Sequence, residues 1–330
     1  MATISGISIY DKNVYSTWVE QVANRIDQIN SRSANTIMVN NEGMMGQFSY
    51  EDFIKVGGSI YSRDSASTSG VDFGAVTNGD YIAVKKEFGW GVEVPAGVLQ
   101  SGDKAIERYL IAVVSSYVDK KLEYELNTGI NACVGAMLNN SSVVNNVISA
   151  GVGLDTAGLF TINQTMGKFG DRRSAIKALV MTGMNLTRIA GQAITNSSYQ
   201  INSATIYDGS APTLGLPVIV IDAEGLFLDD STDENYVLGL TEGAIVIKEQ
   251  NDITAESNNV GSKVQNIVNM MQFNGSFGLN LKGYKWNVTA GGASPSDAAI
   301  ATGTNWVQST TSHKDTAGVI LRARDVGATS

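Results

Sequence analysis

An α+β fold built around one unusually long helix is predicted by three features of the sequence. Residues 81–94 alternate strictly, with Ile82, Val84, Lys86, Phe88, Trp90, Val92 and Val94 on one face and Tyr81, Ala83, Lys85, Glu87, Gly89, Gly91 and Glu93 on the other. From Ile106 to Met137, apolar residues recur at intervals of three and four, the period of a helix face. After Ala175 the pattern changes to short apolar runs of strand length alternating with a helical stretch.

In chain order, the first element is a helix with a single apolar stripe, formed by Val14, Trp18, Val22, Ile26 and Ile29. A helix with so narrow a stripe cannot make its own core, so it must dock elsewhere, on a neighbouring copy or on its own domain. Next come two extended stretches, Phe48–Tyr61 and residues 81–94, separated by a Ser/Thr/Gly/Asp/Asn-rich segment, 62–80, with the composition of a loop. They read as a long hairpin. Two strands cannot bury both faces, so Phe88 and Trp90, which demand burial, are expected to find cover on another subunit. Gly57-Gly58, Gly89 and Gly91 are candidate hinges or simple twist points.

The long helix starts at Asp103, a favourable N-cap after Gly102, and Asn139-Asn140-Ser141-Ser142 closes it. About 34 residues at 1.5 Å each span roughly 50 Å, with Gly129 and Gly135 as places where it would bend or end early. Beyond it, Lys177–Thr182 reads as a buried strand leading into a helix through Leu186, Ile189 and Ile194. Pro217–Asp222, Tyr236–Leu240, Ala244–Ile247, residues 264–281 and Gly318–Leu321 read as further strands. There is no internal repeat, and with four prolines there is no Pro-rich linker.

Composition narrows the function. A hydrophobic share of 43% is enough for a packed interior, whereas charged residues make up only 17%, so uncharged polar groups that are easily covered by a partner must line much of the surface. The net charge of −9 disfavours a sequence-specific reader of nucleic acid and is compatible with a container for it. One cysteine, Cys133, permits no intrachain disulfide and no cysteine-based zinc site. The first residues lack the basic segment and apolar run of a signal peptide, and no window reaches the ~20 apolar residues of a membrane span. A soluble protein made in a reducing cytoplasm, with no membrane partner, is expected.

No motif recommends catalysis. His313 is the sole histidine, lies in a polar segment, and has no Gly-x-Ser-x-Gly elbow to serve. Gly151-Val152-Gly153 lacks the third glycine and the lysine of a phosphate loop. Asp229, Asp230, Asp233 and Glu234 lack calcium-loop spacing and read as a solvated loop. Arg172 and Arg173 discriminate nothing by themselves. A non-enzymatic protein without catalytic residues, cofactor or metal is expected.

The order of parts resembles the major capsid proteins of tailed bacteriophages, whose fold is named after phage Hong Kong 97. That order is an arm, a hairpin called the E-loop, a spine helix, a mixed α/β A-domain and a return to the P-domain. Two tracts are also similar: Gly283-Tyr284-Lys285-Trp286-Asn287-Val288 followed by Gly291 to Ala299, and Leu179-Val180-Met181-Thr182 with Thr213 to Val220. The resemblance implies an N-terminal arm at 1–45, an E-loop at 46–98, a P-domain segment with the spine helix at 99–170, an A-domain at 171–276, and a return to the P-domain with C-terminal strands at 277–330.

It further implies a self-assembling structural protein that forms hexamers and pentamers of an icosahedral shell around phage dsDNA, located in the virion and in the host cytoplasm during assembly. Portal, scaffolding and decoration proteins are the implied partners, and packaged dsDNA is touched only non-specifically. The helical arm begins within about a dozen residues, which points to a scaffolding protein encoded separately. Lys55, Lys85 and Lys86 lie in the hairpin, but no motif marks a crosslinking partner. The expected subunit contacts are Val14, Trp18, Val22 and Ile26 of the arm and Tyr61, Lys85, Phe88 and Trp90 of the hairpin. An encapsulin nanocompartment shell is the alternative with the same fold.

Overall fold

The computed structural model describes residues 26–56, 75–95, 103–148, 154–195, 215–228, 233–250, 254–260 and 268–324. Residues 26–32 (α1) are helical and lead into β1 (Ile37–Asn40), then β2 (Phe48–Val56) and β3 (Val76–Pro95). The long helix α2 runs Asp103–Leu138, 36 residues, followed by β4 (Val144–Asn146), α3 (Leu154–Met166), a 3-10 segment at Gly167–Ala175, β5 (Ile176–Met181) and α4 (Gly183–Thr195). After these come β6 (Val218–Val220), a 3-10 turn at Glu224–Leu226, β7 (Phe227–Leu228), β8 (Glu234–Thr241), β9 (Ile245–Glu249), β10 (Thr254–Val260) and β11 (Val268–Leu281). The chain closes with β12 (Tyr284–Trp286), the short helices α5 (Val288–Gly291) and α6 (Asp297–Ala301), β13 (Trp306–Gln308), a 3-10 turn at His313–Asp315 and β14 (Gly318–Arg324).

Two six-stranded sheets flank the long helix. The first has the order β1-β9-β11-β3-β2, with β10 also paired to β11. The second has the order β4-β14-β8-β5-β6, with β7 also paired to β8. Tyr284–Trp286 and Trp306–Gln308 pair separately, Trp286 opposite Trp306, and the two rings meet edge-on at 5.0 Å.

Strand β3 is long because it serves two partners. Residues 76–84 pair with β2 on one edge, and residues 84–95 pair with β11 on the other. The hairpin read from the sequence therefore has a third strand, and burial follows the alternation from Lys85 on, with Lys86 buried and Glu87, Gly89, Gly91 and Glu93 exposed, whereas Ile82, Ala83 and Val84 are buried on both faces. The ladder with β11 passes regularly through Gly89 and Gly91, opposite Asn274 and Gln272, so neither glycine is a break in the strand.

Helix α2 covers the whole stretch with three-and-four spacing as one element, and from Thr128 to Met137 it is buried on nearly every side. Gly129 and Gly135, expected to weaken it, are instead places where it comes closest to its neighbours. A Cβ on Gly129 would lie 2.9 Å from the Ile245 side chain, and one on Gly135 would overlap the Ala301 carbonyl oxygen. The glycines are there for proximity, not for bending.

The sheets divide the chain differently from the linear order of expected domains. Residues 245–249 and 254–260, read as part of the 171–276 lobe, belong to the first sheet with β1, β3 and β11. Residues 318–324, read as part of the closing return, lie between β4 and β8 in the second. The apolar residues of both sheets and of α2 form one continuous core, from Ile26 to Ala323.

Candidate assembly surface

The interface residues expected from the sequence fall into three groups. Val14, Trp18, Val22 and Tyr61 lie outside the described residues. Ile26 is buried within its own chain, in the common core. Lys85 is half-buried, and its backbone N–H donates to the Gln47 carbonyl at 2.9 Å.

Phe88 and Trp90 are half-buried, and the cover they have within the subunit comes from the same chain, where the sequence reading expects it from another. Trp90 lies 5.6 Å from the Tyr117 ring and 5.7 Å from Phe273, and those two stack on each other at 4.8 Å. Phe88 packs 5.9 Å from Tyr124 and 6.0 Å from Phe277. The physical reason is the third strand: β11 places Phe273 directly opposite Trp90, and α2 lays Tyr117 and Tyr124 over the same face. A third strand and a helix meet rings that two strands alone would leave bare.

Further along the hairpin, cover runs out. The β2/β3 register pairs Tyr50 with Ile82, Asp52 with Asp80, Ile54 with Asn78, and Val56 with Val76, and directly opposed residues share a face. On that face Tyr50, Ile54, Val56 and Val76 are 60%, 70%, 79% and 64% exposed. The opposite face is covered in part by its own half-buried residues. Phe53 stacks on Tyr81 at 4.6 Å, and Phe53 and Lys55 lie across Gly79, where a Cβ would come within 2.7 Å of Lys55 Cε. One side of the blade is partly covered and the other is open.

The blade is tied to the body at its root. Lys285 Nζ donates to Asp80 at 2.7 Å and Lys248 Nζ to Glu51 at 3.0 Å. Buried Lys86, on the apolar face of β3, donates to the Pro295 carbonyl at 2.8 Å and pairs with Asp297 at 2.9 Å. Tyr124 donates its hydroxyl to the same Asp297 at 2.6 Å. The Lys285 ammonium holds the Asp80 carboxyl below its ordinary range. Asp52, opposite Asp80, therefore places a second carboxylate in the middle of an apolar face.

Other charged groups are engaged structurally. Arg172 pairs with Asp315 and Lys314 with Asp171, joining the 167–175 segment to the 313–315 turn. His313 is half-buried, with its Nε2 3.2 Å from the Lys168 carbonyl oxygen and its ring against Phe169. Glu234, read as part of a solvated acidic loop, is instead buried, accepting two bonds from Arg322 and one from the Tyr236 hydroxyl. Asp229 and Asp230 lie outside the described residues. Among the described residues, no group of three His, Cys, Asp or Glu is placed to hold a metal, and no helix is long and apolar enough to cross a membrane. Cys133 is fully buried, and burial pushes its thiol up to about 12. Nothing in the sequence pointed to the open face in particular; its signal is the run Tyr50-x3-Ile54-x-Val56, apolar at every second or fourth position.

Comparison with known proteins gives this geometry a family. A cyanophage Pam1 capsid subunit superposes with a TM-score of 0.54 at 10% identity, covering 88% of this chain and 89% of the other. A subunit from the capsid of a native GTA particle gives 0.50 at 14% identity, covering 76% and 86%. At these identities the likeness speaks for the fold, which is the Hong Kong 97 type capsid fold. No curated protein matches the chain. The model of the Gp13-like family, described as major capsid protein 13-like, matches residues 6–320. That match spans nearly the whole chain, favours the phage coat over the encapsulin alternative, and places a structural protein of the virion capsid: the chain belongs to the Gp13-like family of phage major capsid proteins.

Proposed function

We propose that copies of this coat protein form the hexamers and pentamers of an icosahedral shell around a phage dsDNA genome, and that the open β2/β3 face is laid on a neighbouring copy. The observation that carries this reading is the one-sided hairpin: four large apolar side chains exposed on one face, with the other face covered in part by the chain's own Phe53 and Tyr81. Burying an apolar side chain of this size yields about 2 kcal/mol. Four of them give on the order of 8 kcal/mol per contact before the entropic cost of association. Repetition around a closed shell multiplies whatever surplus remains.

The finer partners follow from the same reading. Portal and scaffolding proteins would join the coat during assembly in the host cytoplasm, and decoration proteins would bind its outside. The net charge of −9 suits a wall that touches packaged dsDNA without gripping it. The role proposed is mechanical, not enzymatic.

The test is to replace Ile54 and Val56 together with Ser and examine the expressed protein by negative-stain microscopy, with thermal unfolding as a control for folding. The expected result is a subunit with unchanged Tm that yields few or no shells. Shells formed at the yield of the unsubstituted protein would overturn the proposal.

A further inference from the structure

Three ionisable side chains are sealed between α2 and β9. Lys121, Glu125 and Glu249 are 2%, 0% and 2% exposed. Lys121 is bonded to Glu249 Oε2, and Glu125 Oε1 stands 3.6 Å from the same ammonium, one helical turn away. The placement follows from the way the helix lies on the strand. Gly129 lets α2 come down onto Ile245 and Ile247, and from there the eight residues back to Lys121 cover roughly 12 Å. The four residues from Ile245 to Glu249 advance roughly 13 Å along β9. Helix and strand therefore run antiparallel in step, and the charged ends meet where no water reaches.

The count of charges is unbalanced. Two carboxylates and one ammonium leave an excess negative charge in a dry interior, which is far too costly to persist when a proton can neutralise it. The hydrogen bonds are unbalanced too: both Glu125 oxygens and Glu249 Oε1 are buried without a hydrogen-bond partner. Glu249 is near enough to act on Glu125 by charge and by hydrogen bonding. A proton on Glu125, donated to Glu249, balances the charge and gives a partner to two of these three oxygens.

We propose that α2 is seated on β9 by one captured proton, held between Glu125 and Glu249 beside Lys121, so that rising pH unlocks the long helix from the first sheet. Burial first, and the Glu249 charge second, hold the Glu125 carboxyl well above its ordinary range. The sign follows: a carboxyl whose folded-state pKa is raised contributes stability fully present below the unfolded value, and loses it as pH rises through the folded one.

Groups on the neighbouring elements are occupied elsewhere. Lys248, next along β9, pairs with Glu51; Lys86 of β3 and Tyr124 of α2 both bond Asp297 of α6. Over Gly275–Leu281, β11 carries no titratable side chain. Among the described residues the proton therefore answers to Lys121 and Glu249.

The test is infrared spectroscopy of the full chain titrated from neutral to alkaline pH, with Tm followed in parallel, on the unsubstituted protein and on Glu125→Gln. The expected result is a protonated buried-carboxyl band at neutral pH. It disappears on the alkaline side together with a fall in Tm of several degrees. Glu125→Gln should lack the band and keep a flat Tm across the same range. Absence of the band from the unsubstituted protein at neutral pH would overturn the proposal, whether or not the variant folds. So would an alkaline fall in Tm that is the same in both proteins. Neither outcome depends on whether shells assemble.

Discussion

Gly135 of α2 and Ala301 of α6 touch backbone to backbone: a Cβ on the glycine would overlap the Ala301 carbonyl oxygen, and a Cβ on nearby Gly303 would overlap the Gly135 carbonyl. On a free helix, Gly→Ala stabilises by about 1 kcal/mol. Here the obstacle is main chain, which cannot rotate away, and overpacking of this kind costs about 1–3 kcal/mol. Gly135→Ala is therefore expected to lower stability by about 2 kcal/mol, read as a reduced denaturant midpoint with unchanged slope. A gain in stability would show that the 297–303 segment yields freely.

Trp90→Ala separates packing within the subunit from packing between subunits. With Trp90 against Tyr117 and Phe273, truncation removes packing within the subunit. Full burial of such a ring would cost about 3–5 kcal/mol on removal, and half-burial brings this to about 2–3 kcal/mol. Thermal unfolding of unassembled subunits should show the loss. If Tm is unchanged and only shells disappear, Trp90 belongs to the intersubunit face after all.

The parts of the fold legible in the sequence are those whose burial is periodic. Helix α2 shows because one stripe of apolar residues continues for ten turns, and β3 shows because its two faces differ. What the periodicity does not carry is the choice of partner. Residues 245–249 read as a buried strand whichever sheet they join, and the pairings with β1 and β11 settle it. Helix α3 was not anticipated, since its stripe of Leu154, Ile162 and Met166 is short and broken at Gly158, where φ is 43°. The Lys121/Glu125 pair at i,i+4 has the look of an ordinary solvated helix face, and its burial depends on a glycine one turn further on. The open hairpin face was equally hidden: the rings that seemed to need a neighbour are half-covered, and smaller side chains nearer the tip are not.

Lys285→Ala probes the tie between blade and body. Without the Lys285 ammonium, Asp80 and Asp52 stand opposite each other with much of their screening gone, Lys55 still acting on Asp80, and like charges in direct cross-strand register are destabilising. Hydrogen exchange of the 76–84 amides is expected to quicken at low salt and to recover as salt is added. In the unsubstituted protein the Asp80 pKa is depressed, so this tie is present above the ordinary carboxylate range and is lost as pH falls through the folded-state value. Acid should therefore loosen the blade in the unsubstituted protein and tighten it in the variant, where protonating Asp80 relieves its repulsion with Asp52. Equal acid sensitivity in both would mean that Asp80 does not hold the hairpin.

The buried pair in the second sheet predicts an asymmetry. Glu234 is 2% exposed at its side chain, whereas Arg322 is 36% exposed, and the two are bonded through the guanidinium Nε and Nη2 and both carboxylate oxygens. Removing the arginine strands a carboxylate in the interior with the Tyr236 hydroxyl as a remaining donor, a loss of about 3 kcal/mol or more. Glu234→Gln leaves a guanidinium that can still reach water, so about 1–2 kcal/mol is expected. The pH dependence should invert as well. An unpaired buried Glu234 would have its folded-state pKa raised, so Arg322→Ala should regain stability as pH falls toward the carboxylate range. Denaturant midpoints for the two variants at neutral and mildly acidic pH decide the matter: equal losses, or a variant that only weakens in acid, would show that the pair is hydrated in place and not sealed.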